Sequence, residues 1–271
     1  MKTKPIIAIC LTLITALLMG CGKSYKEQNA ERHAAAAKAK ADEKAAFKIA
    51  VMPTIDCLPL YLMKDSSLYD STKVDIRLKN FTADMDIDTA LVGGSVQAAA
   101  TELVRTFELR RTHHIPMRAV AVTPLQWTLV GDKKNNITSL KALGNHNVAM
   151  TRYSATDWLT ARARKKAKTD DVIFSVQIND VTLRLQMLLN DEMDAAWLPE
   201  PQATAALAKG NVTLASSADE GRNFGLIVYR EDNGKDADKR EAQLQEVKTA
   251  YNHAVDLINS RGLKYYSALI K

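Results

Sequence analysis

Residues Asn147 to Ala163 read NVAMTRYSATDWLTARA, and the pattern changes half-way. Asn147 to Thr151 is a short apolar-rich run of strand type. From Ala155 onward the apolar positions Ala155, Trp158, Leu159 and Ala163 fall at helical spacing. Between the two runs lies a tight turn, so the stretch reads as strand, turn and helix. Ser154 is placed to cap the helix, and Asp157 three residues on completes a Ser-x-x-Asp capping box. A helix start offers free backbone N–H groups at the positive end of its dipole, which suit an anionic or hydrogen-bond-accepting group. Arg152, Tyr153, Ser154 and Thr156 stand where their side chains can join those donors. The plainer alternative is that Ser154 and Asp157 cap the helix for its own sake, since a carboxylate there repels an anion.

The same alternation extends in both directions. Upstream, FKIAVM (Phe47 to Met52) is a strand closed by Pro53, and Thr54 to Cys57 is a loop. Pro59 opens a helix through Leu68. A strand from Lys73 to Leu78 leads through Asn80 and Thr82 to a helix from Met85 to Val92, stopped by Gly93-Gly94. Ser95 to Ala100 is a small-residue strand, followed by Thr101 and a helix through about Leu109. Arg118 to Val122 and Trp127 to Val130 are two short strands, and Ser139 to Leu143 a short helix ending at Gly144. Downstream, Val172 to Val176 is a strand, Asp180 caps a helix, and Ala195 to Leu198 is a strand closed by Pro199-Glu200-Pro201. Those prolines hold Glu200 rigidly at the sheet edge. A helix from Gln202 to Lys209, strands Val212 to Leu214 and Phe224 to Tyr229, and a long amphipathic helix from Asp238 to Asn259 complete the chain.

Strands alternating with helices predict βαβ units and largely parallel sheets. Such sheets bind ligands at the carboxyl ends of their strands. Thr54, Asp56, Thr82, Asp84 and Thr101 all fall at that edge. Each alone is a turn residue or helix cap; together, at equivalent loop positions, they point to a binding edge.

Composition excludes several classes. The chain has 271 residues and a formal net charge of +6, too mild a balance to mark a nucleic-acid-binding protein. Ile6 to Leu18 is an apolar run behind Lys2 and Lys4, too short for a comfortable membrane span. It ends in Leu18-Met19-Gly20-Cys21, which resembles the lipobox of bacterial lipoproteins. The resemblance implies cleavage before Cys21 and lipidation of that residue, so residues 1–20 are read as a signal peptide. Loss of Lys2 and Lys4 brings the charge to +4, and Cys57 is left as the one free thiol, read as a small buried apolar residue. Residues 21–46, rich in Ala, Lys and Glu, are read as a lipid-anchored, partly helical spacer. His113-His114 reads as a surface turn, because adjacent side chains rarely converge on one metal. The basic run Arg162, Arg164, Lys165, Lys166 and Lys168 reads as a solvated face near a helix C-terminus. No cofactor and no metal site is expected.

Three stretches carry a more specific likeness. ALVGGSVQAAATEL resembles the helix, Gly, x-x-Asp-Ala-Ala element in the first lobe of type II periplasmic binding proteins. LKALGNHNVAMTRYSATDWL resembles the Leu-x-Gly-x-x-Val-Ala strand and the helix that opens their second lobe. LLNDEMDAAWLPEPQATAA resembles the Gly-x-x-Asp-Ala…Glu-Pro…Ala element that follows. Gln97 stands where the first pattern has Asp, and Asn190 where the third has Gly; both are scaffold positions. The nearest group is the nitrate/sulfonate/thiamine-precursor (SsuA/ThiY-like) branch of ABC-transporter solute-binding proteins.

That resemblance implies an α/β fold of two lobes, each a mainly parallel sheet flanked by helices, with a ligand cleft between them. It assigns 47–125 to the first lobe, 126–222 to the second, and 223–271 to a return strand and C-terminal helices packing on the first. It places Thr54, Asp56, Thr82, Asp84 and Thr101 on one wall, Arg152, Tyr153, Ser154, Thr156 and Glu200 on the other, and Gln126 and Trp127 near the crossing. It implies a monomeric, lipid-anchored, non-enzymatic receptor facing the periplasm or cell exterior. Its partners are a small polar ligand and the permease and ATPase subunits of an importer. Arg152, Ser154 and Thr156 suit a sulfonate- or nitrate-like anion. Asp56, Asp84, Glu200 and Tyr153 suit an amino-heterocycle such as a thiamine-pyrimidine precursor, and the excess of acids favours the second. Two rivals share the fold: a non-transport interaction or sensor lipoprotein, and enzymes of pyrimidine-synthase or menaquinone-pathway type.

Overall fold

The computed structural model describes residues 24–270; the signal peptide expected over residues 1–20 and the lipidation expected at Cys21 lie outside the described residues. The chain divides into two compact units, one through Ala46 and one from Phe47 onward. In the first unit the spacer is a single continuous helix, α1 (Tyr25–Ala45). Ser24 accepts from the Glu27 N–H while Glu27 reaches back to the Ser24 N–H, a complete capping box. No residue of α1 is buried. No helix among the described residues is long and apolar enough to cross a membrane.

The second unit holds two five-stranded sheets. In chain order come β1 (Phe47–Val51), α2 (Leu58–Asp65), β2 (Ile76–Asn80), α3 (Asp84–Val92), β3 (Ala98–Glu102), α4 (Leu103–His113) and β4 (Met117–Thr123). The chain then crosses to β5 (Trp127–Gly131), β6 (Asn147–Met150), α5 (Ala155–Ala167), β7 (Phe174–Gln177), α6 (Val181–Leu189), β8 (Ala195–Pro199), α7 (Gln202–Ala208) and β9 (Val212–Ser216). It returns through β10 (Gly225–Arg230) and ends in α8 (Ala237–Arg261) and α9 (Ser267–Ile270). The strand orders are β2-β1-β3-β10-β4 and β7-β6-β8-β5-β9. In each sheet only the strand that follows a crossing, β10 or β5, runs against the others.

The two sheets repeat one construction. The Lys48 N–H donates to Gln97 Oε1 at 2.8 Å, just ahead of the Ile49–Ala98 pairing. In the second sheet the Asn147 N–H donates to Asp194 Oδ2 at 2.9 Å, just ahead of the Val148–Ala195 pairing. Gln97 therefore does in the first sheet what the aspartate does in the second.

Strand alternation covers both faces of the second sheet. Val148, Met150, Ala195, Trp197, Trp127 and Leu129 share one core with Ala155, Leu159 and Ala163 of α5. The intervening Ala149, Ala196, Leu198 and Val130 pack with Leu188 of α6 and with Ala203 and Ala206 of α7. A period of two with helices on both sides is what a doubly covered sheet requires. Where the chain re-enters the first sheet, Gly225 is held between Thr123 and Leu125, and any Cβ there would overlap both.

Element types agree with the sequence reading, and ends shift by a few residues. The second helix stops at Asp65 rather than Leu68, because Ser67 adopts a left-handed conformation (φ 48°). The strands β2 and β3 both run two residues further than expected, to Asn80 and Glu102. Cys57 is buried and free.

Candidate functional site

The loops after β1, β2 and β3 meet those after β6, β7 and β8. Among the described residues six hydrogen bonds to oxygen join the two sides, with a seventh, weaker one from Gln177 Nε2 to Met85 Sδ (3.4 Å). The Ile55 N–H donates to the Glu200 carbonyl (2.8 Å), and the Val181 N–H to the Thr82 carbonyl (3.0 Å). Thr82 Oγ1 donates to Asp180 Oδ2 (2.5 Å), and Gln202 Nε2 to the Pro53 carbonyl (2.9 Å). Arg105 Nη1 donates to the Arg152 carbonyl (3.1 Å). The Ala155 N–H, at the start of α5, donates to Glu102 Oε1 at 2.7 Å. The helix start that the sequence offers to an anion is thus met by a carboxylate from the opposite sheet.

Behind these contacts lies a buried charged cluster. Asp84, Asp88 and Glu102 face Arg105 and Arg184, and Asp56 lies near Asp84, all six side chains being buried. Arg105 pairs with Asp88. Arg184 donates to the Ile178 carbonyl (2.6 Å), to the Trp197 carbonyl (3.0 Å) and to Thr151, and lies over the Trp127 ring at 5.7 Å. Burial pushes Asp84 up to about 6; Arg184 and Arg105 pull it back, and Asp56 adds to the rise. Burial, then the Asp84 charge, hold Glu102 well above the usual carboxylate range. The Trp127 indole N–H lies near enough to favour its ionised form without meeting hydrogen-bond geometry. Burial also raises Asp56, although Thr54 and Thr123 oppose the shift; Thr123 Oγ1 donates to Asp56 Oδ2 at 2.9 Å. Desolvation lowers Arg184 to about 10. A buried charge is tolerated only when paired, and four carboxyls against two guanidiniums leave acid in excess.

Of the residues read from sequence, Asp56, Asp84 and Thr101 are buried at this junction, and Thr54 is buried beside it with its hydroxyl on Cys57 Sγ. Thr82 is exposed and serves as a link between the two sides. Trp127 is core, as is Trp197, whose indole N–H donates to Thr160. Ser154 and Thr156 are buried but satisfied among themselves. Ser154 Oγ accepts from the Thr156 N–H (3.0 Å) and donates to the Thr151 carbonyl (2.6 Å), while Thr156 Oγ1 accepts from the Thr151 N–H (3.0 Å). The expected capping box is displaced: Asp157 accepts from the Tyr153 N–H at 2.9 Å. Arg152 and Tyr153 project to solvent, Tyr153 with φ 55° and 59% exposure. Gln126 is exposed, and Glu200 Oε2 accepts from the Thr204 N–H at 3.1 Å.

Sequence reading missed Asp88, Glu102, Arg105 and Arg184. A signal existed for two of them. Asp84, Ile87, Asp88 and Leu91 form one face of α3, and Val181, Arg184 and Leu188 one face of α6. Charges on an apolar face mark a buried partner. The basic run is exposed as expected; within it Arg164 donates to the Ile173 carbonyl while Arg162 and Lys166 pair with Glu220. His113 and His114 are exposed at the end of α4. No metal-holding group of three or more His, Cys, Asp or Glu occurs among the described residues.

No family model matches the chain, and no curated protein matches its sequence. Solved structures do match. The periplasmic aliphatic sulphonate-binding protein SsuA of Escherichia coli superposes with a TM-score of 0.64 at 19% identity, covering 83% of this chain and 77% of that one. The alkanesulfonate-binding SsuA of Xanthomonas axonopodis pv. citri, bound to MOPS, gives 0.66 at 18%, covering 79% and 74%. The periplasmic nitrate-binding protein NrtA of Synechocystis PCC 6803 gives 0.62 at 15%, covering 76% and 61%. The chain has the periplasmic-binding-protein fold.

Proposed function

We propose that the protein is the solute-binding component of an ABC importer, held to a membrane by lipid on Cys21 and acting as a monomer without catalysis. Each sheet with its helices is taken as one lobe: 47–125 with 223–271, and 126–222. The lobes open and close about the two crossings and present the closed form to a permease and its ATPase. The ligand is a small molecule rich in hydrogen-bond donors or carrying positive charge, an amino-heterocycle being the class that fits. Thr54, Asp56, Thr82, Asp84, Thr101, Gln126, Trp127, Arg152, Tyr153, Ser154, Thr156 and Glu200 are its proposed surroundings, with Glu102, Arg105 and Arg184 added.

The observation that carries this choice is the acid excess at the junction together with Glu102 on the Ala155 N–H. A sulfonate or nitrate arriving there meets a helix start already filled by Glu102 and three more carboxyls behind it. A donor-rich ligand gives those carboxyls the partners they lack. Native mass spectrometry of protein purified gently from its host, with denaturation to release what is bound, tests the reading. A stoichiometric amine or amino-heterocycle supports it. A released anion overturns the ligand class, and an empty protein with no thermal shift across amines, pyrimidines and sulfonates overturns the receptor. That last result favours a second reading, an interaction or sensor module, because the polar groups of the two sides already satisfy one another through the six hydrogen bonds to oxygen.

A further inference from the structure

A cavity of about 710 Å³ lies between α8, the end of β4 and the loop after β1. It shares Asp56 with the charged cluster and Gln126 and Glu200 with the proposed ligand surroundings, but uses neither Glu102, Arg105 nor Arg184. Its volume falls within the range of roughly 300–1,000 Å³ typical of small-molecule sites. The walls are mostly apolar, with Leu58, Leu125, Val255 and Ile258 among them and the ring of Tyr251 on one side. Two carboxylates, Asp56 and Glu200, also line it, and no Lys, Arg or His does. Asp56 is 4% exposed; its Oδ2 is taken by Thr123, and its Oδ1 has no hydrogen-bond partner. The Asp56 charge reaches into this wall, adding to the burial that lifts the Tyr251 hydroxyl up to about 12.

We propose that this cavity is a second binding site that takes a hydrophobic amine, its ammonium group on Asp56 and its apolar body against α8. An unpaired carboxylate oxygen buried in an apolar wall is costly unless a donor reaches it. A cation restores the pairing, an aromatic face beside it adds a cation–π contact, and the net negative lining excludes anions. The site shares Asp56, Gln126 and Glu200 with the receptor reading but needs no closure and no importer, and the variants at Val255 and Asn259 touch this cavity alone.

Calorimetric titration of the full-length protein with benzylammonium tests it, with benzyl alcohol and benzoate as neutral and anionic controls of the same size. One benzylammonium per chain is expected, with both controls at least about tenfold weaker, the loss expected for one charge-assisted hydrogen bond. Asp56→Asn should weaken the amine by a similar factor. Asn259→Trp, at an exposed position on the cavity rim, should abolish binding by filling the space, and Val255→Phe should do so from the wall; thermal melts check that each variant folds. Equal binding of benzyl alcohol would make this a hydrophobic groove and overturn the proposal. Amine binding that survives Asn259→Trp would place it elsewhere in the chain, and absence of binding at millimolar amine would dispose of the site.

Discussion

Arg184 shows most directly how a single side chain ties this molecule together. Its guanidinium is 1% exposed and reaches the carbonyls of Ile178 and Trp197 as well as the Thr151 hydroxyl. Replacing it takes a donor from two backbone carbonyls and removes the positive charge that acts on Asp84 and Glu102. Arg184→Met is expected to cost about 3–5 kcal/mol, the penalty for breaking a buried charged group's pairing, measured by urea unfolding. Arg184→Lys should recover only part, because one ammonium cannot span the carbonyls of two strands as a planar fork does; full recovery would show that charge alone matters. At this scale the sequence was half legible. Asp56, Asp84 and Thr101 announced themselves by following strands, which is a local property. Glu102 and Arg105 did not, because their partners, Ala155, Arg152 and Asp88, come from elsewhere in the chain.

At the scale of elements, the start of α5 carries a cap that works differently from its sequence signature. The Ser-x-x-Asp spacing is present, but Ser154 binds the Thr156 N–H, one residue short of the standard box, and Asp157 binds the Tyr153 N–H, one residue beyond it. The reason is the left-handed Tyr153 (φ 55°), which turns the chain before the helix begins and hands the Ala155 N–H to Glu102. Ser154→Ala should therefore destabilise by about 1–2 kcal/mol, the upper part of the range for a lost N-cap, since its hydroxyl also holds the Thr151 carbonyl. Asp157→Ala should cost about half that. Equal costs would mean that Asp157 closes the box as the sequence suggested. Element types were legible throughout because hydrophobic period and Gly and Pro stops are local signals. The ends of α2, β2 and β3 were not, because pairing with a neighbouring strand and single left-handed residues decide them.

For the whole molecule the question is how firmly its two sides are held together. Thr82 links to Asp180 while Asp180 also caps α6 through the Thr182 and Leu183 N–H groups. Thr82→Val removes the link and leaves the cap, so a larger radius of gyration in solution scattering with little loss of helix content is expected. An unchanged radius would show the remaining bonds to be sufficient. Proton binding acts on the same junction. Asp84, raised from 3.8 to about 6, holds its proton more tightly folded than unfolded. Its contribution is therefore fully present below 3.8 and lost as pH rises through about 6. The difference in melting temperature between the native chain and Asp84→Asn should change across that window and level off above it; a constant difference would show that Asp84 is ionised throughout. The two-sheet architecture was legible from the alternation of strands and helices, whereas the closure of its loops on one another rests on contacts between residues some fifty to a hundred and fifty positions apart.

The carboxylate of Glu102 on the Ala155 N–H has a consequence for selection among solutes. It is a competitor that cannot diffuse away. A tethered group acts at an effective concentration of millimolar order or above, so a free oxyanion seeking the same donor has to reach comparable levels before it wins. On the receptor reading proposed above, trace nitrate or sulfonate is outcompeted for that N–H from within the chain until Glu102 is drawn aside.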